Sequence, residues 1–365
     1  IVHVHGAETT EWSDGYPEAW YLPGADNLAG YTTGGSFFNT FSSSAAAFFA
    51  NDIDRKAPDA GWGDGAAVFQ YANDQEATTL WYHDHTLGMT RLNVYAGPAG
   101  FYLLRGGPGD EVIGTLPGPA PALGDPAGLD YYEIPIVIQD RSFYPDGEIA
   151  YPDNRAFFED LDPDDLDISF TPEISESGEA SDVAPVWLPE FFGNTLVTNG
   201  NTWPKLTVEQ RRYRFRMLNG SQSRFLILQF DNPDVEVWQI GAEQGFLPDP
   251  VNIGTGSTNG VAGGILLGPA ERADLIVDFT NVAEGSQIVF KNFGPDEPFG
   301  GGTAYFGCAP DNGVGPEDSF EPAHAATTGQ VMRFDVVASE STDLSTPPAD
   351  LILPAPPVLG PADHT

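Results

Sequence analysis

The sequence predicts an all-β protein built as more than one domain, and three observations carry that prediction. The chain has 365 residues, too many for one small core. Its 42 glycines and 32 prolines would break long helices. Apolar and polar residues alternate with period two far more often than they recur at helical spacing. The clearest strand is 212–218, where Tyr213, Phe215 and Met217 fall on one face and three arginines on the other. That pattern predicts a sheet with one wet face. Short apolar runs at 134–138, 226–230, 275–279 and 288–290 are bounded by turn residues, as the strands of a sandwich are.

Three stretches interrupt the pattern. The segment 23–74 reads as a long insertion, with one short helix where 42–49 runs Ser-Ser-Ser-Ala-Ala-Ala-Phe-Phe. The segment 106–130 is dense in glycine and proline and makes an interdomain linker, placed at 111–130. The stretch from Ser339 onward carries Pro347, Pro348, Pro354, Pro356, Pro357 and Pro361 and reads as an extended connector. The expected organisation is therefore a first domain over 1–110, a second over 131–338, and a connector over 339–365 leading to a part not present. Ile1 to His5 resembles the middle of a strand rather than a leader, so an earlier start is expected as well.

The formal charge is -38, from 53 acidic against 15 basic residues. Such a surface repels phosphate backbones and anionic membranes, which argues against nucleic acid as a partner. It suits a salt-rich, halophilic setting or a cationic substrate, and charge does not choose between them. No run of about 18 apolar residues exists to span a bilayer. The lone cysteine, Cys308, can form no disulfide within the chain.

The chemistry lies in the histidines. There are six, and four fall in two His-X-His pairs, His3-Val4-His5 and His83-Asp84-His85. Random placement would give roughly 0.1 such pair, so chance is a poor account of two. On a strand, residues i and i+2 share a face, and two neighbouring strands would then bring four imidazoles to one spot. Four nitrogen ligands without thiolate or carboxylate suit copper or zinc better than calcium or magnesium. The alternative is a set of ordinary histidines satisfied by hydrogen bonds.

These residues carry a family resemblance. Val2-His3-Val4-His5-Gly6, the run from Ser13-Asp14-Gly15 to Trp20, and Leu80-Trp81-Tyr82-His83-Asp84-His85 resemble the first-domain copper motifs of the multicopper oxidases, especially the spore-coat laccase and bilirubin oxidase branch. The runs 90–97 and 100–104 continue the likeness. Val197-Thr198-Asn199-Gly200, Trp203-Pro204, 213–219 and 268–274 resemble the second, copper-free domain. The resemblance implies tandem cupredoxin-like Greek-key sandwiches, the first incomplete at its N-terminus and a third absent. It implies copper as cofactor, with His3 on the type 2 ion, His5 and His83 on one type 3 ion, and His85 on the other. It implies electron transfer from a reducing substrate to O2, at an extracellular or cell-surface location. A phenol, an aminophenol, a bilirubin-like pigment and a metal ion all remain open as that substrate.

The sequence departs from the family in lacking a His-Pro-X-His-X-His run and a His-Cys-His run. The other half of the cluster and the type 1 copper are therefore expected on a missing third domain or a partner chain. The raw sheet edge at Ile1 to His5 is separately expected to pair with a partner chain or a lost segment. The alternative is an inactive, copper-binding fragment or scaffold. Cys308 has no adjacent histidine and reads as a free thiol, and His324 and His364 read as loop residues. The acidic run 159–167 lacks the glycine and distal glutamate of a helix-loop-helix calcium site and reads as a solvated loop. Trp81, Trp203 and Trp238, with Met89, Met217 and Met332, read as core. Asp14 matches the position of an acidic residue near the type 2 copper in relatives and is a candidate proton relay. It could equally open the Asp14-Gly15 turn by bonding its own backbone.

Overall fold

The computed structural model describes residues 1–22, 32–50, 62–63, 65–106, 110–150, 190–254, 264–304 and 319–355. Cys308, His364 and the acidic run 159–167 lie outside these. The chain divides into two compact units, one of Ile1–Gln75, Leu80–Tyr102 and Ile149–Pro189, the other of Glu76–Thr79, Leu103–Glu148 and Glu190–Thr365.

The first unit is organised by strands β1 (Val2–His5), β2 (Thr78–Asp84) and β3 (Gly100–Leu104), joined in the order β1-β2-β3. Helix α1 (Phe38–Ala50) contains the helical segment expected from the alanine run. Its apolar residues Phe38, Phe41, Ala45 and Phe48 recur at three- and four-residue intervals, which puts them on one stripe. That stripe packs with Trp12, Trp20 and Trp62 and buries Ile1 and Ala19. Helix α2 (Thr90–Ala96) ends at Gly97, whose φ of 125° lies in the region that glycine tolerates.

The two-residue β5 (Ile149–Ala150) falls in the first unit, and the second unit holds β4 (Glu133–Phe143), β6 (Thr195–Thr198), β7 (Asn201–Thr202), β8 (Lys205–Glu209), β9 (Arg212–Asn219), β10 (Leu226–Phe230), β11 (Glu236–Ala242) and β12 (Gly245–Asn252). It continues with β13 (Ile265–Leu267), β14 (Arg272–Asp278), β15 (Gln287–Asn292), β16 (Thr303–Ala304), β17 (Ser319–Phe320) and β18 (Gln330–Val337). One sheet runs β13-β10-β15-β18-β8 and the other β12-β11-β14-β9-β4-β6-β7. Of the four apolar runs singled out in the sequence, three lie within β4, β10 and β15, and the run 275–279 lies on β14 up to Asp278. Both sheets contribute to one core in which Phe215, Phe230, Phe279, Phe290 and Phe334 touch. This is a β-sandwich, and the fold is all-β with two α-helices among the described residues.

One expectation about β9 is corrected. Tyr213, Phe215 and Met217 do face the sandwich core, but Arg214 and Arg216 on the other face are only 4% and 3% exposed. That face is not wet. The strand register sets Glu133 beside Arg214 and Asp274 beside Arg216, so acids on both neighbouring strands neutralise the arginines. Beyond them Leu351 and Leu353 pack with Ile240, Ile276, Val112 and Leu116, covering part of this face. Thus 111–130 and 339–355 lie along this unit, tied by the backbone pairs of Ile113 with Ile352. Trp203 is likewise corrected: it is 38% exposed, at a turn with φ of 43° between β7 and β8 rather than within a strand.

Candidate metal centre

Strands β1 and β2 pair antiparallel with His3 opposite His83 and His5 opposite Trp81. Directly opposed residues share a face, so His3, His5, Trp81 and His83 point together while Val2, Val4, Tyr82 and Asp84 point the other way. His85 follows β2 and continues the pairing, its backbone N–H donating to the Ile1 carbonyl at 2.8 Å. The four rings cluster: centroids lie 5.5 Å apart for His3 and His5, 5.3 Å for His3 and His83, 4.7 Å for His3 and His85, and 5.6 Å for His5 and His83. All four histidines singled out in the sequence are therefore brought together.

Hydrogen bonds set which nitrogens are available. His83 Nδ1 is 2.7 Å from the Asp84 carbonyl, so it carries the proton and leaves the Nε2 lone pair free. That Nε2 sits 3.4 Å from His5 Nδ1. Two imidazole nitrogens about 2.0–2.1 Å from one shared ion, at a tetrahedral angle, would be separated by about that distance. His3 Nδ1 faces the Asp14 carbonyl and must likewise be protonated there, which frees its Nε2. His85 Nδ1 is buried with no partner among the described residues. One ligand atom each from His3, His5 and His83 lies within 4.8 Å of the others, and among the described residues no carboxylate or thiolate joins this group.

Burial lowers the pKa of His83 to about 4, against the opposing pull of its bond to the Asp84 backbone, and repulsion from His3 and His85 adds to the fall. His85 is lowered too, first by burial and then by His3. Both rings are thus neutral near pH 7, which is the form that binds a metal. The donor set fits a borderline ion such as copper, since imidazole nitrogens supply the grouped ligand atoms among the described residues.

Asp14 stands beside the cluster, its Oδ1 3.3 Å from His3 Nδ1. Gly15 follows with φ of 84°, and a Cβ there would lie 2.4 Å from the Val2 carbonyl oxygen. The chain can pass so close to β1 only with glycine at this point. Two contributors escape a sequence reading. Trp81, 4% exposed, lies with its ring 4.3 Å from His83 and 5.7 Å from His5, forming a wall of the site as well as core. Asp84 points away from the rings and holds the following turn, accepting from the Thr86 hydroxyl at 2.8 Å, the Thr86 N–H at 3.0 Å and Asn93 Nδ2 at 3.1 Å. Strand alternation predicts where Asp84 points, but Thr86 and Asn93 as its partners become visible only in three dimensions. His324 lies elsewhere, exposed in a loop where its ring accepts from the Ala326 N–H.

No family model matches the chain. The laccase of Bacillus stratosphericus is 37% identical over 292 residues, 80% of this chain and 43% of that protein. The laccase of Bacillus subtilis is 33% identical over 292 residues, 80% of this chain and 42% of its own length. The laccase of Haloferax volcanii is 30% identical over 296 residues, 80% of this chain and 37% of its length. The chain thus spans less than half the length of each of these relatives. Among solved structures, a multicopper oxidase variant of Aquifex aeolicus superposes with a TM-score of 0.53 at 22% identity, over 98% of this chain and 54% of that one. A laccase-like multicopper oxidase of Ochrobactrum sp. gives 0.52 at 17% identity, over 99% and 53%. The structural likeness shows the cupredoxin-like fold. With homologues named laccase and multicopper oxidase on one side and this fold on the other, the chain belongs to the multicopper oxidase family.

Proposed function

We propose that this chain supplies half of the ligands of a trinuclear copper cluster in a laccase-like oxidase, with His3 on the type 2 ion, His5 and His83 on one type 3 ion, and His85 on the other. The observation that carries the reading is the 3.4 Å approach of His83 Nε2 to His5 Nδ1, with each ring otherwise placed to offer a lone pair. Copper held there, with the ligands of a third domain or partner chain, would accept electrons one at a time from a reducing substrate and deliver four of them to O2, giving water. The chain's own part is to present neutral imidazoles, keep their tautomers fixed through the Asp84 and Asp14 carbonyls, and wall the site with Trp81. Asp14, exposed and beside His3, is placed to pass protons from solvent through water towards the site. The type 1 copper and the reducing substrate, whether phenol, aminophenol, bilirubin-like pigment or metal ion, belong to the part outside this chain. An extracellular or cell-surface location follows from the same family reading.

A second reading is favoured by the limited span of the match: these residues alone could be an inactive copper-binding fragment or scaffold that needs a partner. Copper per chain by elemental analysis, with a visible and near-ultraviolet spectrum, separates the two. About four coppers with an intense blue band and a near-ultraviolet shoulder are expected for the oxidase. Little copper and no blue band would reject it for the isolated chain.

A further inference from the structure

The buried arginines of β9 open on a cleft of ≈ 380 Å³ in the second unit, lined by Arg105, Arg214, Arg216, Glu133, Asp110 and Leu116 among others. Their hydrogen bonds are incompletely used. Arg214 spends Nε and Nη2 on Asp274, at 2.9 and 2.6 Å, while its Nη1 lies 3.7 Å from Glu133 Oε2, beyond hydrogen-bond reach. Arg216 donates from Nε to Glu133 at 3.1 Å and from Nη1 to Thr79 at 2.8 Å, and its Nη2 has no acceptor among the described residues. Arg105 gives Nη2 to Glu133 at 2.6 Å, with its side chain 38% exposed.

Three guanidinium groups thus share Glu133 and Asp274, while the third carboxylate, Asp110, is held by the Gly106 N–H. In a chain with 15 basic residues against 53 acidic ones, three arginines converge on this one cleft. Guanidinium forks match carboxylates bidentately, and the apolar side chains of Val112 and Leu116 beside them suit a short carbon skeleton better than a bare inorganic ion. We infer that this cleft is a binding site for a small organic dicarboxylate, held by Arg105 at the exposed side and by Arg214 Nη1 and Arg216 Nη2 at the buried side. The site is independent of the histidines, so it stands or falls apart from the copper reading.

The test is calorimetric titration of the full chain with succinate in 1 M KCl, where screening removes the general effect of the net charge. Saturable binding of one succinate per chain is expected. It should weaken at least tenfold in Arg105→Gln, and in Thr115→Glu, which sets a carboxylate on an exposed residue of the cleft lining whose hydrogen bonds to Thr346 use only its own backbone. Unchanged thermal midpoints of the two variants would show that the loss is one of binding. The inference is overturned if no saturable heat is seen, if sulfate competes as tightly as succinate, or if Thr115→Glu binds succinate like the parent.

Discussion

His83 meets several demands at once: a bond from Nδ1 to the Asp84 carbonyl, an Nε2 turned to His5, and the Trp81 ring against its face. Single side chains around it therefore have separable effects. Replacing Asp14 by Asn leaves the backbone carbonyl that holds His3, so copper content should stay unchanged while O2 reduction by the assembled oxidase slows. An unchanged rate at every pH would remove the relay. Gly15→Ala acts through the backbone instead, because the added Cβ would meet Val2 and the residue sits at φ of 84°. A loss of about 1–3 kcal/mol is expected, read as a lower denaturation midpoint together with reduced copper binding. A midpoint equal to that of the parent would show that the loop can move away from β1 without cost.

At the scale of the element, β9 shows why a strand pattern can be right and its environment wrong. The alternation placed Tyr213, Phe215 and Met217 on the core face, as found. What covers the arginine face came from Glu133 on β4, Asp274 on β14 and the apolar segment around Leu351, all distant in sequence. Burial raises the Asp274 pKa, but Arg214 and Arg216 overcome that and hold it below the usual carboxylate value. A depressed folded value means that this ion pair stabilises the fold above about pH 4, the ordinary carboxylate range, and loses that contribution as pH falls through the lower folded value. Asp274→Asn should therefore destabilise the unit by about 3–5 kcal/mol at pH 7, since it strands a buried guanidinium. The difference from the parent should shrink in acid unfolding experiments below pH 4. A pH-independent difference would mean that Asp274 acts through packing alone. Leu351→Ala probes the cover over the same sheet and should cost about 2–5 kcal/mol by equilibrium denaturation.

For the whole molecule, the formal charge of -38 sets a long-range term that no single contact carries. Self-repulsion among surface carboxylates works against the compact state and is screened within about 10 Å at 0.1 M salt and about 3 Å at 1 M. The thermal midpoint should rise between 0.1 and 1 M KCl, and a flat or falling midpoint would argue that the acidic surface is not under strain. The same experiment bears on the expected salt-rich setting, because a fold fully stable at low salt has no need of it.

Legible in the residues alone were the β class, strands β4, β9, β10, β14 and β15 of the second unit, the helix within the insertion and the four clustered histidines, because each follows from local periodicity or from paired spacing. Period two is a property of neighbouring residues, so it survives whatever the strand packs against. The rest depends on contacts between distant segments. The register of β1 on β2 set His3 opposite His83 and brought Trp81 into the wall, and the covering of the β9 arginines turned an expected wet face into a buried ionic cluster. The same reach across the chain ties Asp84 to Asn93 and sets Leu351 and Leu353 beside Ile240 and Ile276. Those outcomes depend on which distant segments meet, and residue spacing along a strand carries no information about its partners across the fold.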